Sequence, residues 1–248
     1  MKKILISLFA LVLLLSSGIS QADDVEFYDD PGGVYYPIQL SLYPTLQLIN
    51  YNNDVAGLRL NIIGVNRNMT GLDVGLINQT DDTFTGAGVG LVNLSRGDTH
   101  GINIGFINHV NGNINGFQGI PLLSWWNAMN VVHGDCNGAQ GGLFNQATTL
   151  RGVQGGLVNV AYEAKGAMIG LYNYSENFTG FEAGLINIAY EDMTGAQIGL
   201  YNGVRNANGF QLGIINQCQN LHGLQVGLVN IASQKEKIPT MLFVNWQF

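Results

Sequence analysis

Charge is scarce in this 248-residue chain, and basic charge is scarcest: 11% of residues are charged, with 10 Lys and Arg against 17 Asp and Glu, a formal net charge of −7. Without a basic cluster the chain is poorly equipped to hold nucleic-acid phosphates or anionic lipid headgroups, so no nucleic-acid partner is expected. Low charge together with 46% hydrophobic residues excludes intrinsic disorder, which needs the reverse composition. Beyond the first two dozen residues, no apolar run approaches the roughly eighteen that mark a transmembrane helix. Cysteines number 2 and prolines 5. G-x-S-x-G, Walker and H-E-x-x-H motifs are all missing, so neither catalytic residues nor a cofactor nor a metal centre is expected.

The start, "MKKILISLFALVLLLSSGISQADD", has the layout of a secretory signal peptide. Lys2 and Lys3 form a charged n-region, Ile4 to Leu15 an apolar h-region, and Ser20-Gln21-Ala22 a small-x-small cleavage site. The apolar stretch is about twelve residues, short of the ~20 that span a bilayer, so export with cleavage is expected rather than a retained anchor. Loss of Lys2 and Lys3 takes the net charge from −7 to −9. No Cys stands at the cut, so no lipoprotein acylation site is read there.

What the chain has in abundance is glycine, 34 residues, and it is periodic. The frame G-x-x-x-G-[LIF]-x-N begins at Gly71, Gly86, Gly101, Gly138, Gly152, Gly166, Gly180, Gly195, Gly209 and Gly223, with degraded copies at Gly57 and Gly116. Successive starts lie 14 or 15 residues apart, except for a gap of 22 between Gly116 and Gly138. Two copies stand side by side in "FTGFEAGLINIAYEDMTGAQIGLYN", where Gly180, Gly184 and Asn187 are echoed by Gly195, Gly199 and Asn202. Gly71, Gly75 and Asn78 open the series of full copies, and Gly223, Gly227 and Asn230 close it. These are its structural residues.

With the first Gly as position 0, positions 1, 3 and 5 are mostly apolar (Leu224, Val226, Leu228) and position 2 is usually polar (Gln225, Gln211, Gln197, Glu182). Such alternation means a β-strand with one buried face. The expectation is that the apolar set points inward and position 2 faces water. A shorter second stretch would bring a small residue at position 9 (Ala161, Ala189, Cys218, Ala232) and an apolar one two before the next Gly (Phe178, Met193, Leu221) into the same interior.

A unit of this size cannot bury its own apolar face, so copies must stack. The fold expected is all-β: tandem units stacked as a parallel β-roll or solenoid, one coil per unit. Asn at position 7 would bond to Asn of the next coil, and Gly at positions 0 and 4 would permit tight backbone geometry. The alternative is an antiparallel outer-membrane β-barrel of about fourteen strands, acting as a pore or scaffold. The ending "TMLFVNWQF", with Trp246 and terminal Phe248, looks like a barrel assembly signal. Against the barrel, antiparallel neighbours would put the same Asn alternately at opposite rims. Three apolar positions per strand also fall short of a lipid face about 25 Å tall. The chain then divides into a leader (1–22), N-terminal strands or cap (23–56), the repeat domain (57–232) with an irregular insertion at 117–137, and a closing strand or cap (233–248).

At "PIQLSLYPTLQLIN", "GLRLN", "GLDVGLIN" and "GLQVGLVN", the chain resembles a family of exported bacterial surface-repeat proteins that carry tandem G-L-Q-[IL]-G-L-[IV]-N units after a signal peptide. The resemblance covers roughly residues 37–248. It implies a place at the cell envelope or surface, with the outer membrane or another envelope or host surface component as partner, and it brings no established activity. The period is also loosely similar to that of the β-roll heads of trimeric autotransporter adhesins.

The insertion, "FQGIPLLSWWNAMNVVHGDCN", holds the candidate interaction residues Trp125, Trp126 and Met129. They form either an exposed aromatic patch for a partner, glycan or lipid, or a loop packed over the stack. His133, Asp135 and Cys136 lie close in sequence, but three or four convergent ligands are needed for a metal and no second cluster offers them. Cys136 and Cys218 would sit five coils apart, on the order of 24 Å at ~4.8 Å per coil, beyond the ~6 Å of a disulfide. His100, His109 and His222 occupy ordinary repeat positions and are expected to be solvated.

Overall fold

The computed structural model describes residues 35–119 and 129–248. Every regular element among them is a β-strand. Consecutive units pair in parallel, one coil apart: Gly57 faces Gly71, Gly180 faces Gly195, Asn187 faces Asn202 and Asn216 faces Asn230 in register. The chain therefore winds into a β-solenoid of about 13 turns, not a barrel. Among the described residues, antiparallel pairing is confined to the two ends. Leu46–Gln47 folds back on the first strand, Tyr35–Tyr43, and Thr240–Gln247 folds back on the last coil. Each covers a sheet edge that would otherwise offer unpaired backbone groups to another chain.

Position 0 explains the invariant glycine. Gly195 sits at φ +132°, and a Cβ there would strike the carbonyl of Gly180 directly beneath it. The same relation recurs at every coil from Gly57 to Gly223, so this edge is a glycine ladder with no room for a side chain.

Asparagine at position 7 stacks as the repeat suggests. Asn187 Nδ2 donates to Asn202 Oδ1 at 2.8 Å and to the Ile198 carbonyl at 2.9 Å. Equivalent Asn–Asn bonds run without a break from Asn78 to Asn230. Small and apolar residues line the opposite wall of the interior. Ala161, Ala189, Cys218 and Ala232 are buried, as are Phe178, Met193 and Leu221.

The long strand is oriented opposite to the expectation. Gln197, Gln211 and Gln225 are fully buried, while Leu185, Leu200 and Leu228 are 47%, 51% and 56% exposed. A slip at the corner causes the inversion. Leu185 and Ile186 both donate their backbone N–H to the Leu171 carbonyl at 3.0 Å, and Leu200 and Tyr201 do the same to Leu185. Two successive donors to one acceptor mark a corner at which the in-out alternation of the strand changes parity, while the register between coils stays unshifted. The strand bends at Gly184–Leu185 and at Gly199–Leu200. With Asn187 held inward by its ladder, the bend turns Gln197-type residues in and leucines out.

A buried glutamine is tolerable because its neighbours above and below are glutamines too. Gln211 Nε2 donates to Gln197 Oε1 at 2.7 Å and Gln225 Nε2 to Gln211 Oε1 at 2.8 Å, and Asn245 of the closing strand donates to Gln225 Oε1 at 3.1 Å. Stacked identical amides at the inter-strand spacing satisfy one another, as in cross-β amide ladders. An earlier run ties Gln154 to Gln140 and Gln140 to Gln118. Met168 stands between the two runs in the same file, and it leaves Gln154 Oε1 without a hydrogen-bond partner. Towards the N-terminal end the file holds a buried ion pair, Arg59 Nε to Asp73 Oδ1 at 2.8 Å, with Arg59 Nη1 donating to the Gln79 carbonyl at 2.9 Å.

Candidate interaction face

Since Gln, Asn and the small residues fill the interior, the leucines and isoleucines of the repeat have nowhere to go but out. Positions 1, 3, 5 and 6 form four outward files along the described coils, with Ile107, 8% exposed, the buried exception. One coil shows the set: Phe181 is 39% exposed, Leu185 47% and Ile186 39%. Among the described residues, none of these four files contains Asp, Glu, Lys or Arg, from Leu58 to Val229. The first strand continues the band with Ile38, Leu40 and Leu42, and the closing strand continues it with Val244 and Trp246.

The band has definite borders. On one side, position −1 is polar in every full copy, as in Thr179, Thr194, Asn208 and His222. On the other side, in the coils that start at Gly152, Gly166 and Gly180, lie tyrosines, Tyr174 at position 8 and Tyr162 and Tyr190 at position 10, beside Tyr172 and Tyr201 in the position-6 file. Burial raises the Tyr174 phenol above its ordinary pKa, and Glu176 with the neighbouring tyrosines adds to the shift. Half a coil away, the turns form an acidic ridge laced by cross-coil pairs, Arg96 with Asp81 at 3.3 Å, Arg151 with Asp135 at 2.6 Å and Arg205 with Glu191 at 2.5 Å. The solenoid is amphipathic from one edge to the other.

Six residues of strand at ~3.3 Å, times about 13 coils at ~4.8 Å, make a band of about 1,200 Å². The largest apolar patch on an ordinary monomer is ~300–600 Å², and larger ones mark interaction surfaces.

The residues singled out from sequence fall in several places. Trp125 and Trp126 lie outside the described residues. Met129 is half-buried and pairs with Ile107 at position 6, so it belongs to the band. Strand pairing holds through Gly119 and resumes at Met129, with Asn130 back in the asparagine ladder. Regular pairing thus covers residues 117–119, 129–132 and 136–137 of the segment read from sequence as irregular. His133, Asp135 and Cys136 do not converge. Cys136 is fully buried in the interior, Asp135 is outside and held below the usual carboxylate range by Arg151, and His133 sits edge-on to His109 with ring centroids 5.0 Å apart. His109 itself is half-buried, and burial lowers its pKa; His100 and His222 are exposed. Cys136 and Cys218 are free thiols, each pushed by burial to a pKa of about 12, which leaves them unreactive. No group of three or more His, Cys, Asp and Glu residues that could hold a metal is found among the described residues.

Sequence reasoning missed the band itself. The available signal was the pair of adjacent apolar residues at positions 5 and 6 (Leu185-Ile186, Leu228-Val229), which cannot both face the interior of a straight strand. No protein-family model, curated protein or solved structure matches the chain.

Proposed function

We propose that this chain is a non-enzymatic protein of the bacterial cell envelope, exported by its leader, whose structural or surface-interaction role is carried by the apolar band. The observation behind this reading is the band's apolar, charge-free character across the described coils. A soluble protein with no partner gains nothing from such a surface and risks aggregation by it. Composition supports export, and the repeat resembles those of exported surface proteins. The polar files inside serve to build a rigid support, and their residues are occupied with one another rather than free for chemistry.

Fractionation of cells expressing the tagged chain tests the reading. The chain is expected in the envelope fraction, released by nonionic detergent and not by 1 M salt. A variant with Leu171→Lys, Leu185→Lys and Leu200→Lys is expected in the soluble fraction. Identical distribution of the two proteins would overturn the assignment of the band as the working surface.

A further inference from the structure

The partner of the band follows from its shape, and this inference rests on the functional reading above. Positions 1 and 3 lie on one flat strand, position 6 on the next, and position 5 at the bend between them. Because the chain wraps around its interior, the bend is convex, and its leucines stand out in several coils: Leu185 is 47% exposed against 39% for Phe181 and Ile186, and Leu200 51% against 37% for Ile198. The apolar surface is therefore a ridge with two flanks. A rigid second copy could cover one flank or the crest, but not both flanks and the crest together. A fluid apolar phase covers all three.

The chain cannot sheathe the ridge with its own insertion. Residues 120–128 leave at Gly119 and return at Met129. Nine residues, out and back, reach at most about 15 Å from their roots, against the ~60 Å of the band. Their sequence, "IPLLSWWNA", is as free of charge as the four files.

We propose that the ridge seats in the acyl layer of a phospholipid bilayer, as a monotopic wedge lying along the membrane surface with the acidic ridge in water. The deeper flank, from position 1 to position 3, is about three residues deep, or ~10 Å of strand. That matches the 5–10 Å to which interfacial amphipathic elements sink, and is far short of the ~30 Å needed to span. The tyrosine border falls at the level where aromatic side chains with one polar end settle at the membrane–water boundary. The mode is apolar, since the four files carry no charge and the protein as a whole is acidic.

The test uses the exported chain purified from cells in mild detergent, diluted into pure phosphatidylcholine vesicles and floated on a density gradient at 0.15 M and 1 M NaCl. Most of the protein is expected to float at both salts. The triple lysine variant at Leu171, Leu185 and Leu200 is expected to lose at least tenfold in bound fraction while keeping its β circular dichroism and its unfolding transition, because these side chains lie outside the core. Flotation lost at 1 M salt would overturn apolar seating. Absence of flotation, with a discrete dimer in detergent-free buffer that the triple variant dissociates, would replace lipid by a second copy and leave the band's role standing. Absence of both, with unchanged envelope retention of the variant, would remove the lipid inference and the functional reading together.

Discussion

Glu182 is the one carboxylate in the glutamine file of the C-terminal half, and it makes folding stability depend on pH in a way that can be worked out. The residue is fully buried. Its Oε2 accepts from Gln197 Nε2 at 2.7 Å and its Oε1 from Ser175 Oγ at 3.3 Å, while Met168 on the preceding coil offers nothing. Burial outweighs these two donors and raises the pKa from 4.5 to about 7. A carboxyl whose folded pKa exceeds its unfolded one favours the fold while protonated. Its contribution is full below pH 4.5, declines as pH rises between 4.5 and about 7, and is gone above that. At 1.36 kcal/mol per unit, the difference between the two limits is about 3 kcal/mol. Glu182→Gln replaces the acid by the amide that the file uses elsewhere. It is expected to be near neutral at pH 4 and to stabilise by about 3 kcal/mol at pH 9. Urea unfolding followed by circular dichroism at pH 4, 7 and 9 measures both proteins. A difference between them that does not change with pH would refute the burial of this carboxyl.

Three further outcomes follow from the same interior. Gln211→Ala removes the bond to Gln197 and the one accepted from Gln225, whose Nε2 keeps only longer contacts to the Ile231 carbonyl and Cys218 Sγ, so a loss of about 2–4 kcal/mol is expected, while Leu212→Ala next to it should change stability by less than about 0.5 kcal/mol; urea midpoints compare the two. Gly195→Ala forces a side chain into a positive-φ site against the Gly180 carbonyl and should lower stability by at least about 2 kcal/mol, read from the thermal transition. Asp73→Ala leaves the Arg59 guanidinium buried without its partner and should destabilise by about 3–5 kcal/mol; if the midpoint does not move, the pair is not enclosed.

Much of the architecture was legible because a repeat constrains stacking more tightly than composition does. Identical Asn187 and Asn202 must meet in a parallel stack and must miss each other in an antiparallel barrel, so period alone pointed to the solenoid. Ala189 and Phe178 were placed inside correctly for a similar reason, since small and large residues alternate along the second wall. The direction of the long strand was not legible from alternation, which separates two faces without saying which is inner. The usual rule that leucine is inside fails here because stacked amides remove the penalty that normally keeps Gln197 in water. The bend at Gly184–Leu185 carries no marker beyond the glycine and the apolar pair that follows it. As for the interaction site, Met129 lies in the band while Trp125 and Trp126 are outside the described residues, so the insertion drew notice to one coil of a surface that extends along the described coils.

The inverted solenoid is tested most directly at two adjacent residues of one strand, Val153 at 43% exposure and Gln154 at zero. In a background with Cys136→Ala and Cys218→Ala, single Val153→Cys and Gln154→Cys variants are reacted with a small thiol reagent in lipid-free buffer, before and after denaturation. Fast native labelling at 153 with protection at 154 is the predicted result. Protection at 153 with fast labelling at 154 would contradict it, and would put the leucines back in the core and the glutamines in water.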